Sequence, residues 1–286
     1  QMCIRDRVSD VVRRGGLIEV LPGAYRSAAV RETQLVRCVA VSRSRAGTAI
    51  CGPTAASLLG IRRVADDGMV HVLAPPASNP SVVPWLVPYR TPTWSVSDVV
   101  ERPDGLRILR HPRLALDLAR FVDDVDLLSI VEQCMHDGRE SDAVMRRVAA
   151  DWCTPQRSWV RRYLMALDRR VPGPAAESHI ETIVGDRLLQ AGVSGLVRQH
   201  WIAPNGHGRI RFDLAIPDLL WAVEVDGFPT HRESDGARAD RRRDVAARRD
   251  GWLVRRVGPG DLEGRLDATI EFLVDDIAAR RSDLKR

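Results

Sequence analysis

Lysine is almost missing from this chain. Of its 43 basic residues only Lys285 is a lysine; every other one is arginine. Any mechanism that needs a catalytic lysine within the body of the fold is therefore excluded. Long apolar runs are also missing. The stretch Val82-Val83-Pro84-Trp85-Leu86-Val87-Pro88 is short and broken by proline, so no segment reaches the length that spans a bilayer and a membrane partner is not expected. The five cysteines are scattered and form no CxxC pair. That spacing argues against a zinc site or a disulfide framework and for a reducing, cytoplasmic compartment.

What is present describes a globular protein. The chain has 286 residues, 44% of them hydrophobic, which leaves room for two domains with ordinary cores. A net charge of +5 and an isoelectric point near 9.3 are compatible with a polyanionic partner. Residues 1–7, Gln-Met-Cys-Ile-Arg-Asp-Arg, read as the translated adapter of a sequencing library. The expectation is that the natural start is missing and that residue 8 begins inside a domain.

From Val8 to about Val64, turn signals alternate with short helical patterns. Leu17 to Leu21 and Ala24 to Arg26 read as two strands around a Pro22-Gly23 turn, a small wing. Leu35, Val36, Val39 and Ala40 have helical spacing, and Thr54 to Leu59 reads as a short helix stopped by Gly60. Basic residues lie nearby at Arg13, Arg14 and Arg26. The strings RRGGLIEVLPGAYR and GPTAASLLGI resemble the winged-helix domain of AbiEi-type antitoxin-like proteins, over roughly the first fifth of the chain. The resemblance implies DNA binding, with a recognition helix in the major groove and Arg13 and Arg14 among the contacts.

A middle segment, residues 65–172, is rich in proline, so its strands are expected to be short: Met69 to Leu73, Trp85 to Tyr89 and Leu106 to Leu109. Leu114 to Val122 and Leu127 to Gln133 read as helices. Asp123, Asp124 and Asp126 between them read as a cap and a solvated face. Arg146 to Ala166 reads as a basic helical connector, and Pro172-Gly173-Pro174 as a domain boundary.

The last segment, residues 173–286, carries the chemistry. Ser178 reads as a helix cap with Glu181 at capping-box distance. Strands are expected over Leu196–Ile202, Ile210–Ile216, Leu220–Val225 and Trp252–Val257, with helices over Ala237–Arg249 and Leu262–Ile277. Three carboxylates interrupt the strands: Asp213, Glu224 and Asp226. Strand alternation puts Glu224 and Asp226 on one side, and Asp213 joins them if the two strands form a hairpin. Carboxylates inside strands cost several kcal/mol when buried unpaired, so their clustering points to a divalent-metal site.

The order helix, three-stranded meander, helix, strand matches the core of PD-(D/E)XK nucleases. The series SHIE, RFDLAIP, AVEVDG, His231, DRRR and GWLVRRV resembles a family of domains of unknown function related to very-short-patch-repair endonucleases, from Glu177 to about Asp276. The resemblance implies a restriction-endonuclease-like α/β domain with a central mixed sheet, in a chain of α+β class. It implies Mg²⁺ or Mn²⁺ held by Asp213, Glu224 and the backbone carbonyl of Val225. Glu181 would hold a water of the ion or act as a base, and it reads equally as the capping partner of Ser178. The sequence departs from the general pattern where lysine is expected, at Asp226. His231 lies where the repair-endonuclease branch has a histidine able to exchange protons. Arg243 is the alternative source of positive charge. Arg238, Arg241, Arg242 and Arg243 on the basic helix are candidates for phosphate contact; Asp240 and Asp244 read as surface ion-pair partners and Trp252 as core.

Two functions follow as expectations. One is a metal-dependent DNA endonuclease. The other is a catalytically lapsed DNA-binding regulator or antitoxin-like protein. DNA is the expected partner of both, with a cognate toxin or repair protein as a further one.

Overall fold

A computed structural model of the chain describes residues 4–76, 83–91, 95–150, 157–225 and 234–286. Among the described residues the architecture is α+β, with eleven α-helices and three sheets. The chain divides into two compact units, residues 1–130 with 137–164, and residues 131–136 with 165–286. No helix among the described residues is long and apolar enough to cross a membrane.

The first unit opens with α1 (Ile4–Arg13) and an antiparallel hairpin of β1 (Leu17–Leu21) and β2 (Ala24–Ser27). Gly23 in its turn has a φ of 83°, a conformation glycine adopts without steric cost. Helix α2 (Gln34–Ser44) is capped by Thr33, whose hydroxyl accepts the Val36 N–H at 3.2 Å. After β3 (Ala49–Ile50), helix α3 (Gly52–Leu59) stops at Gly60 in the left-handed region, as its sequence requires. Then come β4 (Val70–Ala74), β5 (Leu86–Arg90), β6 (Val99–Glu101) and β7 (Arg107–Leu109).

These strands form one mixed sheet in the order β5-β4-β3-β7-β6. Strand β3 pairs with both β4 and β7, so the sheet draws on chain from both sides of residue 64. Strand β3 is two residues long, too short for alternation to mark it in the sequence. Helices α4 (His111–Leu118), α5 (Asp124–Gly138), α6 (Asp142–Ala150) and α7 (Ser158–Asp168) follow. The carboxylate of Asp123 accepts the Asp126 N–H at 2.8 Å, the helix cap its sequence suggested. The basic connector expected over Arg146–Ala166 divides between α6 and α7. Tyr163 is fully buried and donates to the Met145 carbonyl at 2.9 Å.

The second unit contains α8 (His179–Gln190), β8 (Val197–Ile202), β9 (Ile210–Ile216), β10 (Trp221–Val225), α9 (Ser234–Arg249), β11 (Leu253–Val257), α10 (Pro259–Leu262) and α11 (Leu266–Asp283). Its sheet runs β11-β10-β9-β8, antiparallel except for the β10–β11 pair. A parallel pair needs a crossover, and α9 lies within it. Leu214, Ile216, Trp221, Val223 and Val225 pack with Val184 and Leu188 of α8 and with Ile270, Leu273 and Ile277 of α11. A second cluster joins Phe212, Ala215 and Ala222 to Ala246 and Ala247 of α9 and to Trp252. Fully burying one of these large apolar side chains stabilises the unit by about 1.5–3 kcal/mol.

An ionic cluster completes this core. Glu132, within residues 131–136, is fully buried. It pairs with Arg170 at 3.0 Å and with Arg198 of β8, and accepts the Ala176 N–H at 3.0 Å. The Arg198 N–H donates to the Pro172 carbonyl at 2.8 Å. Gly173 has a φ of 120°, and a β-carbon there would lie 2.9 Å from the Arg198 carbonyl oxygen. Only glycine lets the chain lie this close to β8.

Candidate active site

The site grows from a break in the sheet. Strands β9 and β10 pair in register Ile216 to Trp221, Ala215 to Ala222 and Leu214 to Val223. One step further the register sets Asp213 opposite Glu224, and there the ladder ends. Opposite residues of an antiparallel pair share a face, so the hairpin brings these two carboxylates together. On the other side, β8 pairs with β9 at Arg198–Leu214 and again at His200–Phe212. The intervening partners, Gln199 and Asp213, form no ladder pair. Asp213 thus sits where the sheet is released on both sides.

The packing of β9 changes at the same residue. Leu214 and Ile216 belong to the cluster with α8 and α11, whereas Ile210 and Phe212 belong to the cluster with α9 and Trp252. Strict alternation would put all four on one face. The strand rolls at Asp213, and its partner Gln199 has a φ of 51°, in the left-handed region that non-glycine residues rarely enter.

Release of the ladder frees the Val225 N–H, which donates to Asp213 Oδ2 at 2.8 Å. Burial pushes the Asp213 carboxyl above its ordinary pKa, against the lowering effects of this N–H and of the Arg211 and Arg243 charges. Glu224 is 7% exposed. Arg243 of α9 reaches its Oε1 at 2.5 Å, and Arg256, its partner in the β10–β11 register, lies 3.6 Å from its Oε2. Burial still raises the Glu224 carboxyl, because the two guanidiniums only partly offset desolvation and Asp213 and Asp244 add repulsion.

Glu181 enters from the first turn of α8. Its N–H donates to the Ser178 hydroxyl at 3.1 Å, so the cap forms. The reciprocal half is displaced by one residue, because Glu181 Oε2 accepts the N–H of Glu177 at 3.2 Å. The same oxygen accepts Gln199 Nε2 at 3.2 Å. Burial first, and the Asp213 charge second, raise the Glu181 carboxyl. Glu177 holds Arg211 by two bonds, at 2.7 and 3.0 Å.

The structure therefore brings Glu181, Asp213, Glu224 and Val225 together and adds Arg243. Asp244 pairs with Arg256 of β11 at 2.7 Å. Trp252 is buried, as expected of core. Asp226 and His231, and the side chains of Arg238, Asp240 and Arg241, lie outside the described residues. Arg242 is exposed on α9. In the first unit Arg13 and Arg14 are exposed, and Arg13 pairs with Asp10 at 2.5 Å.

Burial raises each of the three carboxyl groups of Glu181, Asp213 and Glu224, and a neighbouring acid adds to each rise. Among the described residues no group of three or more His, Cys, Asp or Glu side chains is arranged to hold a metal ion. Two carboxylates, a carbonyl and retained waters are enough for Mg²⁺, and Asp213, Glu224 and Val225 offer a donor set of that kind.

No family model matches the chain, and no curated protein matches it. Among solved structures the chain is similar to the RV2827C protein from Mycobacterium tuberculosis, with 21% sequence identity and a TM-score of 0.40. The match covers 58% of this chain and 65% of that one, so the chain spans a little under two thirds of that protein.

Several residues around the site were not singled out by the sequence. Gln199 and Arg256 are found only through strand register. Trp201 is 49% exposed on β8, opposite Arg211 in the ladder. The Arg209 guanidinium stacks over its ring at 4.6 Å, and that of Arg211 lies at 5.9 Å. The exposure of this tryptophan was the signal, and no sequence pattern announces it.

Proposed function

We propose that the chain is a metal-dependent DNA endonuclease of the PD-(D/E)XK type, related to very-short-patch-repair endonucleases and preceded by an antitoxin-like winged helix. The observation that carries this reading is the juxtaposition of Asp213 and Glu224 one step beyond the last β9–β10 pair, Leu214–Val223. Buried acids placed at a released sheet end have no packing value, and they suit a divalent cation. The order α8, β8–β9–β10, α9, β11 supports the same reading. In the first unit, the exposed arginines beside α1 and the β1–β2 hairpin support DNA binding, and a toxin or repair partner would engage the same protein.

Asp213 and Glu224, with the Val225 carbonyl, would hold Mg²⁺ or Mn²⁺, whose positive charge favours attack on a phosphodiester. The chain's own residues do the rest. The Val225 N–H fixes the Asp213 carboxylate in one orientation. Glu181, raised by its surroundings, is a better base than a free glutamate and is placed to take a proton from water. Arg243 supplies the fixed charge that the missing lysine would have supplied, although it does not exchange protons. Trp201 and Arg209 offer a stacking face and a cation to unpaired bases.

A second reading is favoured by one observation. Glu224 is already paired with Arg243 and Arg256, as expected of a lapsed site in a DNA-binding regulator. Incubating the protein with supercoiled, single-stranded and mismatched DNA in Mg²⁺, Mn²⁺ or EDTA, beside Asp213→Ala, separates the two. Metal-dependent cutting lost in the variant supports the nuclease. A mobility shift that persists in EDTA without cutting supports the regulator.

A further inference from the structure

We propose that Gln199 is a positioning residue of this site, which fixes the Glu181 carboxylate through its Nε2. The proposal rests on the nuclease reading above.

Gln199 occupies an unfavourable place for a glutamine. Its φ of 51° in the middle of β8 costs about 1–3 kcal/mol for a non-glycine residue and persists only where the surroundings impose it. It is 6% exposed, and its Oε1 is enclosed without a hydrogen-bond partner among the described residues. An enclosed acceptor left unpaired costs roughly 1–3 kcal/mol more. A residue needed only for packing would avoid both costs. Its place explains them: it stands across from Asp213 at the break in the β8–β9 ladder, with Nε2 on Glu181 Oε2 at 3.2 Å.

That bond and the Glu177 N–H together hold Glu181 Oε2, and the Ser178 hydroxyl adds a further contact to the same carboxyl group. Held in this way, Glu181 is placed to take a proton from a water that attacks phosphorus. In the reaction the water oxygen forms a bond to phosphorus, one proton passes to Glu181 and then to solvent, and the bond to the leaving sugar oxygen breaks. That oxygen takes a proton from bulk water, so one water is consumed for each bond cut. The charges acting on Glu181 come from Asp213 on β9, Glu177 ahead of α8, Arg198 on β8 and Arg211 on β9.

The test compares the full-length protein with Gln199→Met, similar in length but without either polar atom, and Gln199→Gly, which suits the backbone angle. Each is assayed for DNA cleavage across pH, for Mn²⁺ affinity by calorimetry and for melting temperature. The expected result is a kcat at least about 30-fold lower in both variants, in the range typical of proton-transfer positioning. KM and Mn²⁺ affinity stay within about threefold, and the acid limb of the pH–rate profile moves upward in Gln199→Met. Gln199→Gly relieves the backbone angle that Gln199→Met retains, so the melting temperatures of the two separate misfolding from lost positioning. Cleavage by Gln199→Met at the natural rate with an unmoved profile overturns the proposal. So does loss of Mn²⁺ binding in step with rate. If the natural protein itself neither cuts DNA nor binds Mn²⁺, the nuclease reading fails and Gln199 loses its assigned role with it.

Discussion

The carboxylate of Asp213 accepts the backbone N–H of Val225 at 2.8 Å, twelve residues along the chain. A side chain thus takes the place of a ladder bond where β9 and β10 part. Asparagine at this position keeps an oxygen for the same N–H but carries no charge. Because burial raises the Asp213 carboxyl, the folded chain binds its proton more tightly than the unfolded chain does. The stability from this group is full below the unfolded value of about 3.9 and is lost as pH rises through the folded value. Asp213→Asn is therefore expected to melt about 2–4 °C higher than the natural protein at pH 7.5 in EDTA. The gap closes as pH falls towards 4. Added Mn²⁺ reverses the order, because only the natural protein gains from it. A lower melting point for the variant at pH 7.5 would mean that the hydrogen bond outweighs the buried charge.

If Glu224 is a metal ligand, as proposed, Arg243 and the ion would compete for its carboxylate, because the guanidinium already holds Oε1 at 2.5 Å. Arg243→Gln is expected to bind Mn²⁺ about tenfold more tightly, a gain of roughly 1.4 kcal/mol, while cleaving DNA more slowly for want of the fixed charge. Titration calorimetry of the metal-binding step checks the first half. Unchanged affinity would mean that Glu224 is not a ligand.

The buried cluster of Glu132, Arg170 and Arg198 is a third point of sensitivity. Glu132→Ala leaves the buried Arg198 guanidinium without its carboxylate and takes one partner from Arg170, a defect that costs about 3–5 kcal/mol in comparable interiors. Urea unfolding followed by tryptophan fluorescence is expected to give a midpoint lowered accordingly. Loss below about 1 kcal/mol would show that water reaches the cluster and screens it.

Trp201 separates binding from folding. Its ring is half exposed, so Trp201→Ala is expected to change the melting temperature little. Stacking of one base is worth about 1–3 kcal/mol, which predicts single-stranded DNA bound some 5- to 150-fold more weakly in EDTA. Duplex affinity, dominated by phosphate contacts, changes less. Equal losses on both forms would assign the surface to backbone contact instead.

Much of the second unit was legible in the sequence because its signals are local. The strand over Ile210–Ile216 follows from apolar residues bounded by turn signals, and Ser178 announces the helix that carries Glu181. The β9–β10 hairpin itself was legible too, since a short connection at Pro217-Asp218 leaves two strands little choice but to pair, and its register carries Asp213 and Glu224 to the same end. What escaped was non-local. Gln199 looks like any strand residue until register places it opposite Asp213. Arg256 gains its meaning only from a parallel partner across a crossover. In the first unit, β3 consists of Ala49 and Ile50 alone, and its place in the sheet comes from its neighbours rather than from its own pattern.

The position of Glu132 bears on how this protein can be taken apart or inherited. The proline-glycine-proline stretch at 172–174 invites a cut, yet a fragment beginning there lacks the acid that neutralises Arg198 beneath the site strand. The second unit is therefore not a cassette. Grafting residues 173–286 onto another carrier would transplant an unbalanced interior, unless the recipient also supplied a carboxylate in place of Glu132. Recombination between related chains would be tolerated only where both partners to that charge travel together, and this ties a helix from the middle of the chain to the fate of the site near its end.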